Sequence, residues 1–268
     1  VSEDRAPTPR PEDVSLAGRV VVVTGAARGI GRAVAETVAE FGADVALVDR
    51  DDAVELVADR IAATGRRTLV GLLDVRDRPA VGDFADRIGT TFGTVHGLVN
   101  NAGGTFVSEF MEANERGDAA LVAENFTSVV DVTRAVVPLM GAGGSIVNVT
   151  SSEAFQAAPG FAVYAAMKAA TEQLSRTLAL ELAASGIRVN TVAPDGMPTP
   201  GDAGLAAEVA ERSRFLPPPR PPWGSTAAPE AAAGVVAFLL GDLAGFVTGA
   251  SIAVDGGLQA AGGWHLRS

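Results

Sequence analysis

A chain of 268 residues with 47% hydrophobic and 20% charged content can bury a sizeable core and is not a disordered segment. Its 21 basic and 32 acidic residues leave a net charge of −11, which argues against nucleic acid or an anionic membrane as the main partner. Zero cysteines exclude disulfides, thiolate catalysis and cysteine-ligated zinc, and with His96 and His265 as the only histidines the chain has almost no room for a multi-histidine metal site.

No run of 18 apolar residues and no charged-then-apolar leader is present, so a cytoplasmic enzyme is expected. Residues 1–15 hold three prolines and several charges and read as an N-terminal extension, flexible or polyproline-like. Val20-Val21-Val22-Val23 is a continuous β-branched run, the mark of a strand buried on both faces. A glycine-rich turn, Gly25 to Gly31, follows at once, then a helix with Ile30, Val34, Val38 and Phe41 on one stripe. Strand, glycine turn and helix N-terminus in that order form an anion site, because glycine admits a pyrophosphate close to the backbone and the free N–H groups face it. The alternative is a tight β–α connection without a ligand.

The next strand, 44–49, ends on Asp49, 18 residues after Gly31. An acid there accepts hydrogen bonds from ribose hydroxyls and repels a 2′-phosphate, so NAD is expected over NADP. Its other role would be to cap the helix that begins near Asp51 or Asp52. Arg28 and Arg50 stand against the NAD reading, since either side chain is suited to a phosphate.

Strand and helix keep alternating: a strand 67–73, a helix 77–92, a strand 95–100, a long helical stretch over about 114–140 containing Asn125, and a strand 144–150. A strand over 187–193, a helix near 229–240 and a last strand 251–254 complete the pattern. The βαβ repetition implies one domain: a single Rossmann-type, doubly wound parallel α/β sheet of about seven strands with helices on both faces. Ligands of such sheets sit beyond the carboxyl ends of the strands. Gly25–Gly31, Asp49, Asp74, 100–103, Ser151, Ser152 and Pro194 all fall at those ends.

Between the fifth and sixth strands lie the one tyrosine and the one lysine of the chain, Tyr164 and Lys168, in an alanine-rich run that reads as helix. Four residues apart, they share a helix face about 5–6 Å from each other. A free tyrosine titrates at about 10 and is a weak base at neutral pH. An ammonium about 6 Å away at an effective dielectric near 20 favours the phenolate by roughly 3 kcal/mol, about two pH units, while burial opposes it. An oxidised nicotinamide ring would supply the second positive charge that this balance asks for. The plain alternative is an incidental surface pair. Every other basic residue is an arginine, so the chain uses lysine only where a compact ammonium differs most from a guanidinium.

Taken together, Thr24–Gly31, Asn100-Asn101-Ala102-Gly103, Asn125, Ser151-Ser152, Tyr164–Lys168, Arg188–Pro194 and Val254–Gly257 resemble the short-chain dehydrogenase/reductase family, over roughly residues 16–257. The resemblance implies an oxidoreductase that passes a hydride between NAD(H) and a secondary alcohol or dihydrodiol and its ketone, assembled as a homotetramer or homodimer. It implies Tyr164 as general acid/base and Lys168 on the nicotinamide ribose. It also implies Ser152 on the substrate oxygen and Asn125 holding a water in a proton relay. Ser151 rivals Ser152, because many family members separate serine and tyrosine by thirteen residues, whereas Ser152 stands twelve before Tyr164. For the cofactor it implies Gly25, Arg28, Gly29, Ile30 and Gly31 at the pyrophosphate, Asp49 at the adenosine ribose, Asp74 and Val75 beside adenine, and Asn101, Ala102 and Gly103 lining the trough. Pro194 and Thr199 would lie near the nicotinamide.

Where the family has Pro-Gly, this chain has Pro194-Asp195-Gly196, which adds a carboxylate near that end. The stretch from about 195 to 226 is the expected substrate loop, with Phe215, Leu216 and Trp223 as walls and Arg220 as a charge. A C-terminal tail, 258–268, carries Trp264 and His265. Two other functions stay open: a 3-oxoacyl thioester reductase, which Asp49 disfavours, and a non-catalytic dinucleotide-binding sensor or scaffold.

Overall fold

Val20 to Val23 fix the centre of the molecule, because a strand whose alternate side chains are all branched and apolar must be covered on both faces. In the computed structural model, which describes residues 8, 10–195, 197–199, 204–212, 215 and 221–262, this strand is β1 (Val20–Thr24) and is buried throughout. It pairs with β2 (Asp44–Asp49) on one side and β4 (Val95–Asn100) on the other. Beyond β2 lies β3 (Thr68–Leu72), and beyond β4 come β5 (Met140–Val149), β6 (Arg188–Pro194) and β7 (Ser251–Val254). The sheet runs in the order β3-β2-β1-β4-β5-β6-β7 with every pair parallel. The chain leaves β1 towards β3 and then returns to build outward from β4. The crevice between the carboxyl ends of β1 and β4 is therefore the topological switch point, where ligands of such sheets bind.

Val21 and Val23 enter one core cluster, packed by α1 (Gly29–Glu40), α2 (Ala53–Ala63) and α8 (Glu230–Leu240). Val22 enters the other, packed by α3 (Arg78–Phe92), α5 (Ser128–Val136) and α6 (Ala162–Glu181). Each fully buried valine contributes about 1.5–3 kcal/mol relative to exposure, so the period-two split across β1 is what doubles the layers. On α1, Val34 and Val38 are fully buried and Ile30 is partly so, but Phe41 is the residue after the helix and is 39% exposed, so the apolar stripe ends one turn early. No helix is long and apolar enough to cross a membrane among the described residues.

The helical stretch expected over 114–140 is interrupted. Glu115–Val122 forms α4, capped by Asn114 through Gly117 N. Ala123–Thr127 then adopts a π turn centred on Asn125, and α5 follows. A 3-10 turn, Val137–Leu139, contains Pro138, whose missing N–H and ring end the helix, and Met140 already belongs to β5. At the N-terminus Pro11–Val14 makes a 3-10 turn instead of a polyproline stretch. The rest of the chain adds α7 (Leu205–Arg212) and a short α9 (Leu258–Ala261). Leu216, Arg220, Trp264 and His265 lie outside the described residues, as do residues 1–7 and Gly196.

Candidate functional site

The glycine turn after β1 is sewn to the loop after β4. Thr24 Oγ1 accepts from Asn101 N and Ala102 N at 3.0 Å each and donates to Val99 O. Asn101 Nδ2 donates to Thr24 O at 3.0 Å and to Gly25 O at 3.2 Å. The approach is so close that a Cβ on Gly31 would sit 1.9 Å from Gly25 O. Thr199, from the loop beyond β6, packs over the same turn: a Cβ on Gly29 would lie 3.2 Å from its Cβ. No side chain caps α1, so the N–H groups of Gly29, Ile30 and Gly31 face the crevice as a helix N-terminus suited to a pyrophosphate.

Asp49 ends β2 beside that turn. Its Oδ2 accepts from Ala27 N at 2.9 Å and its Oδ1 from Asp51 N at 3.0 Å. Asp51 accepts from Ala53 N just before the next helix, whose N-cap position is Asp52, and among the described residues Asp49 makes no bond to that helix, so the capping role considered for Asp49 is not the one it plays. Each oxygen of Asp49 keeps a further lone pair, which a sugar hydroxyl fits. The two arginines that could meet a phosphate are already paired, Arg28 with Asp51 at 3.2 Å, and Arg50 with Asp74 at 3.8 Å and Glu124 at 3.7 Å. Arg76 grips Asp74 from its backbone and its guanidinium, and this hydrogen bonding holds the Asp74 carboxyl below its ordinary value. The Val75 side chain belongs to the core, leaving its backbone to the crevice.

On α6, Tyr164 and Lys168 face the same way: Lys168 Nζ stands 5.6 Å from the centre of the Tyr164 ring and donates to Val149 O at 3.1 Å. Lys168 is buried, and burial pushes its ammonium down to about 8, against the pull of Glu153 and then Glu124. Asn125 reaches the same place. Its Nδ2 donates to Gly104 O and Leu121 O, and its Oδ1 accepts from Gly104 N. A Cβ on Gly103 would meet Asn125 Oδ1 at 2.8 Å and Lys168 Nζ at 3.3 Å, so only glycine lets the loop pass between them. The backbone carbonyl of Asn125 accepts from Thr171 Oγ1 on α6.

Ser151 and Ser152, just past β5, both donate to Oε2 of Glu153. Glu153 and Glu124 were missed by sequence reasoning, although a charge directly after a serine pair at a strand's end was a signal. Glu172 was missed as well. It is buried on the Tyr164–Lys168 face, and its carboxylate accepts from Thr150 Oγ1 at 2.6 Å, Thr191 Oγ1 at 2.9 Å and Ser251 Oγ at 3.2 Å. Those three hydroxyls tie α6 to the sheet. Beyond β6 and β7 a cavity of about 220 Å³ is bounded by Asp195, Trp223, Thr226, Val254 and Asp255. Trp223 is 83% exposed at its rim, and Phe215 is exposed outside it.

A family model described as enoyl-(acyl carrier protein) reductase matches residues 25–259. Cis-4-hydroxycyclohexanecarboxylate dehydrogenase of Sinomonas cyclohexanicum is 40% identical over 252 residues, covering 92% of this chain and 98% of that protein. A short-chain dehydrogenase from Mycobacterium paratuberculosis bound to NAD matches with a TM-score of 0.84 and 31% identity, over 92% of this chain and 99% of that one. One from Burkholderia cenocepacia J2315 in complex with NADP matches with a TM-score of 0.82 and 32% identity, over 91% and 98%.

Proposed function

The chain belongs to the short-chain dehydrogenase/reductase family, and from that premise we propose that it is an NAD-dependent oxidoreductase interconverting a secondary alcohol, or a dihydrodiol, with its ketone. The observation that carries this reading is the buried Lys168 ammonium 5.6 Å from the Tyr164 ring at the mouth of the glycine-lined crevice. A bound nicotinamide would supply the hydride acceptor for the carbinol carbon, or the hydride donor for the ketone.

Tyr164 takes the alcohol's proton or gives one to the ketone oxygen. Lys168, still protonated at neutral pH, would stabilise the phenolate left by proton release and would hold the nicotinamide ribose. Asn125 holds Gly104 through its side-chain amide; its backbone carbonyl is engaged by Thr171, and a relay water held there would share that acceptor. Ser152, which ends the run from Asn148, would hold the substrate oxygen, with Ser151, thirteen residues before Tyr164, as its rival; both are buried and both donate to Glu153.

Gly25, Arg28, Gly29, Ile30 and Gly31 would hold the pyrophosphate and Asp49 the ribose, with Asp74 and Val75 beside adenine. Asn101, Ala102 and Gly103 would line the trough, and Pro194 and Thr199 would close it. NAD is favoured because a 2′-phosphate would meet the Asp49 carboxylate, while Arg28 and Arg50 would have to leave their acids to receive it. The exposed Leu180 and Phe246 support a homodimer or homotetramer. A 3-oxoacyl thioester reductase is the second reading, favoured by the acyl-carrier description of the matching family model.

The deciding experiment is Tyr164→Phe, which removes one hydroxyl. Turnover of secondary alcohols should fall by about 10²–10⁴-fold while the thermal shift produced by NAD is retained. Near-normal turnover in that variant overturns the assignment.

A further inference from the structure

Glu153 sits beside the two serines that are candidates for the substrate oxygen, and the reaction as outlined gives it nothing to do. Both candidate serines donate to its Oε2. Among the described residues no hydrogen-bond donor reaches its Oε1, and the side chain is only half-buried. Lys168 is the one buried cation among those residues and lies within the field of Glu153. The catalytic end therefore presents an acceptor oxygen and a negative charge to whatever enters beside the serines.

An ionised carboxylate accepts hydrogen bonds and donates none. Ser152 Oγ lies 3.3 Å from Oε2, so a serine there that donates to the reacting oxygen at about 2.7–2.8 Å keeps Oε2 within roughly 6 Å of that oxygen. A hydroxyl on the neighbouring carbon of the substrate falls inside that reach. It also replaces the donor that Glu153 loses when a serine turns its O–H to the reacting oxygen. A carboxylate on the same neighbouring carbon would instead meet a like charge at short range.

We propose that Glu153 is a specificity-determining residue whose carboxylate receives a second substrate hydroxyl next to the reacting carbinol, so that the site takes vicinal diols ahead of simple alcohols and rejects hydroxy acids. The inference rests on the oxidoreductase reading and narrows its substrate class.

The test compares kcat/KM for cis-cyclohexane-1,2-diol, cyclohexanol and 2-hydroxycyclohexanecarboxylate in the wild type, Glu153→Gln and Glu153→Leu. The wild type should prefer the diol to cyclohexanol by about tenfold and the acid least, the worth of one good hydrogen bond to a charged group. Glu153→Leu should bring the diol-to-cyclohexanol ratio near one. Glu153→Gln, which keeps an acceptor oxygen without the charge, should retain part of the diol preference and lift the acid by several-fold relative to cyclohexanol. If Glu153→Leu does not fold, the acid-to-cyclohexanol ratio in the near-isosteric Glu153→Gln decides alone. Ratios that stay at wild-type values in the folded variants overturn the role of Glu153 and leave the oxidoreductase reading standing. No turnover of any alcohol by the wild type with either cofactor overturns both.

Discussion

At the β1–β4 end of the crevice the main chain is closely held: the Asn101 side-chain amide donates to the carbonyls of Thr24 and Gly25, and Gly31 passes so near Gly25 O that no side chain fits. At the β6–β7 end main-chain bonds run from Asp195 N to Val254 O and from Trp223 N to Gly256 O, and the large side chains of Phe215 and Trp223 are exposed. The first end is shaped for a ligand whose form does not vary, and its tolerance is set by main-chain distances. The second is shaped by side chains, which can change without disturbing the sheet. Stability and cofactor binding should therefore reside in one half of the site, and substrate choice in the other.

The strongest way to break this contrast is Gly31→Ala. A Cβ placed 1.9 Å from a carbonyl oxygen forces β1's turn away from α1, a change of about 3 kcal/mol or more. The variant should melt well below the wild type and give no thermal shift with NAD. A variant of wild-type stability that still binds NAD would show that the turn is not the rigid half.

Lys168 sharpens the contrast at the junction of the halves. Its folded value of about 8 lies below the ordinary 10.5. Below pH 8 the native state bears the full cost of a buried ammonium. Between 8 and 10.5 the unfolded chain holds a proton that the native chain has released, so stability rises with pH. Relative to Lys168→Met, which has no such group, the wild type should gain about 3 kcal/mol between pH 7 and pH 11. Urea titrations of both proteins across that range measure it, and a difference independent of pH would remove the burial argument.

The same division explains what the amino-acid order discloses. The valines of β1 announce a two-faced strand because β-branched residues at consecutive positions have few other uses, and the glycines announce the turn because nothing larger fits. The break at Asn125 is silent, since Ala123–Thr127 has ordinary helix formers and the π turn is completed by Gly104 and Thr171, distant in sequence. Glu172 is silent for the same reason: its three hydroxyl partners come from the end of β5, from β6 and from β7. Tyr164 and Lys168 were legible as neighbours because one helix supplies both, whereas the spacing of Ser151 and Ser152 from Tyr164 depends on the length of the loop between them.

A smaller effect is expected at Asp49. Asp49→Ala removes the carboxylate facing the proposed ribose site, together with the acceptor for Ala27 N. The ratio of kcat/KM for NAD over NADP should fall by about tenfold, roughly 1.4 kcal/mol. An unchanged ratio would mean that Arg28 and Arg50, not the acid, set the preference.

The least stability should be lost at Trp223. With 83% of its surface in solvent, its removal takes little apolar area out of the fold, and Trp223→Ala should shift stability by no more than about 0.5 kcal/mol. Its backbone bond to Gly256 survives the substitution. Yet the side chain bounds the cavity beyond β6 and β7. Loss of one apolar wall should raise KM for a cyclic alcohol several-fold while leaving the thermal shift with NAD unaltered. A fall in NAD binding instead would join the two ends of the crevice into one unit, and the division between a rigid cofactor half and a permissive substrate half would no longer describe the site.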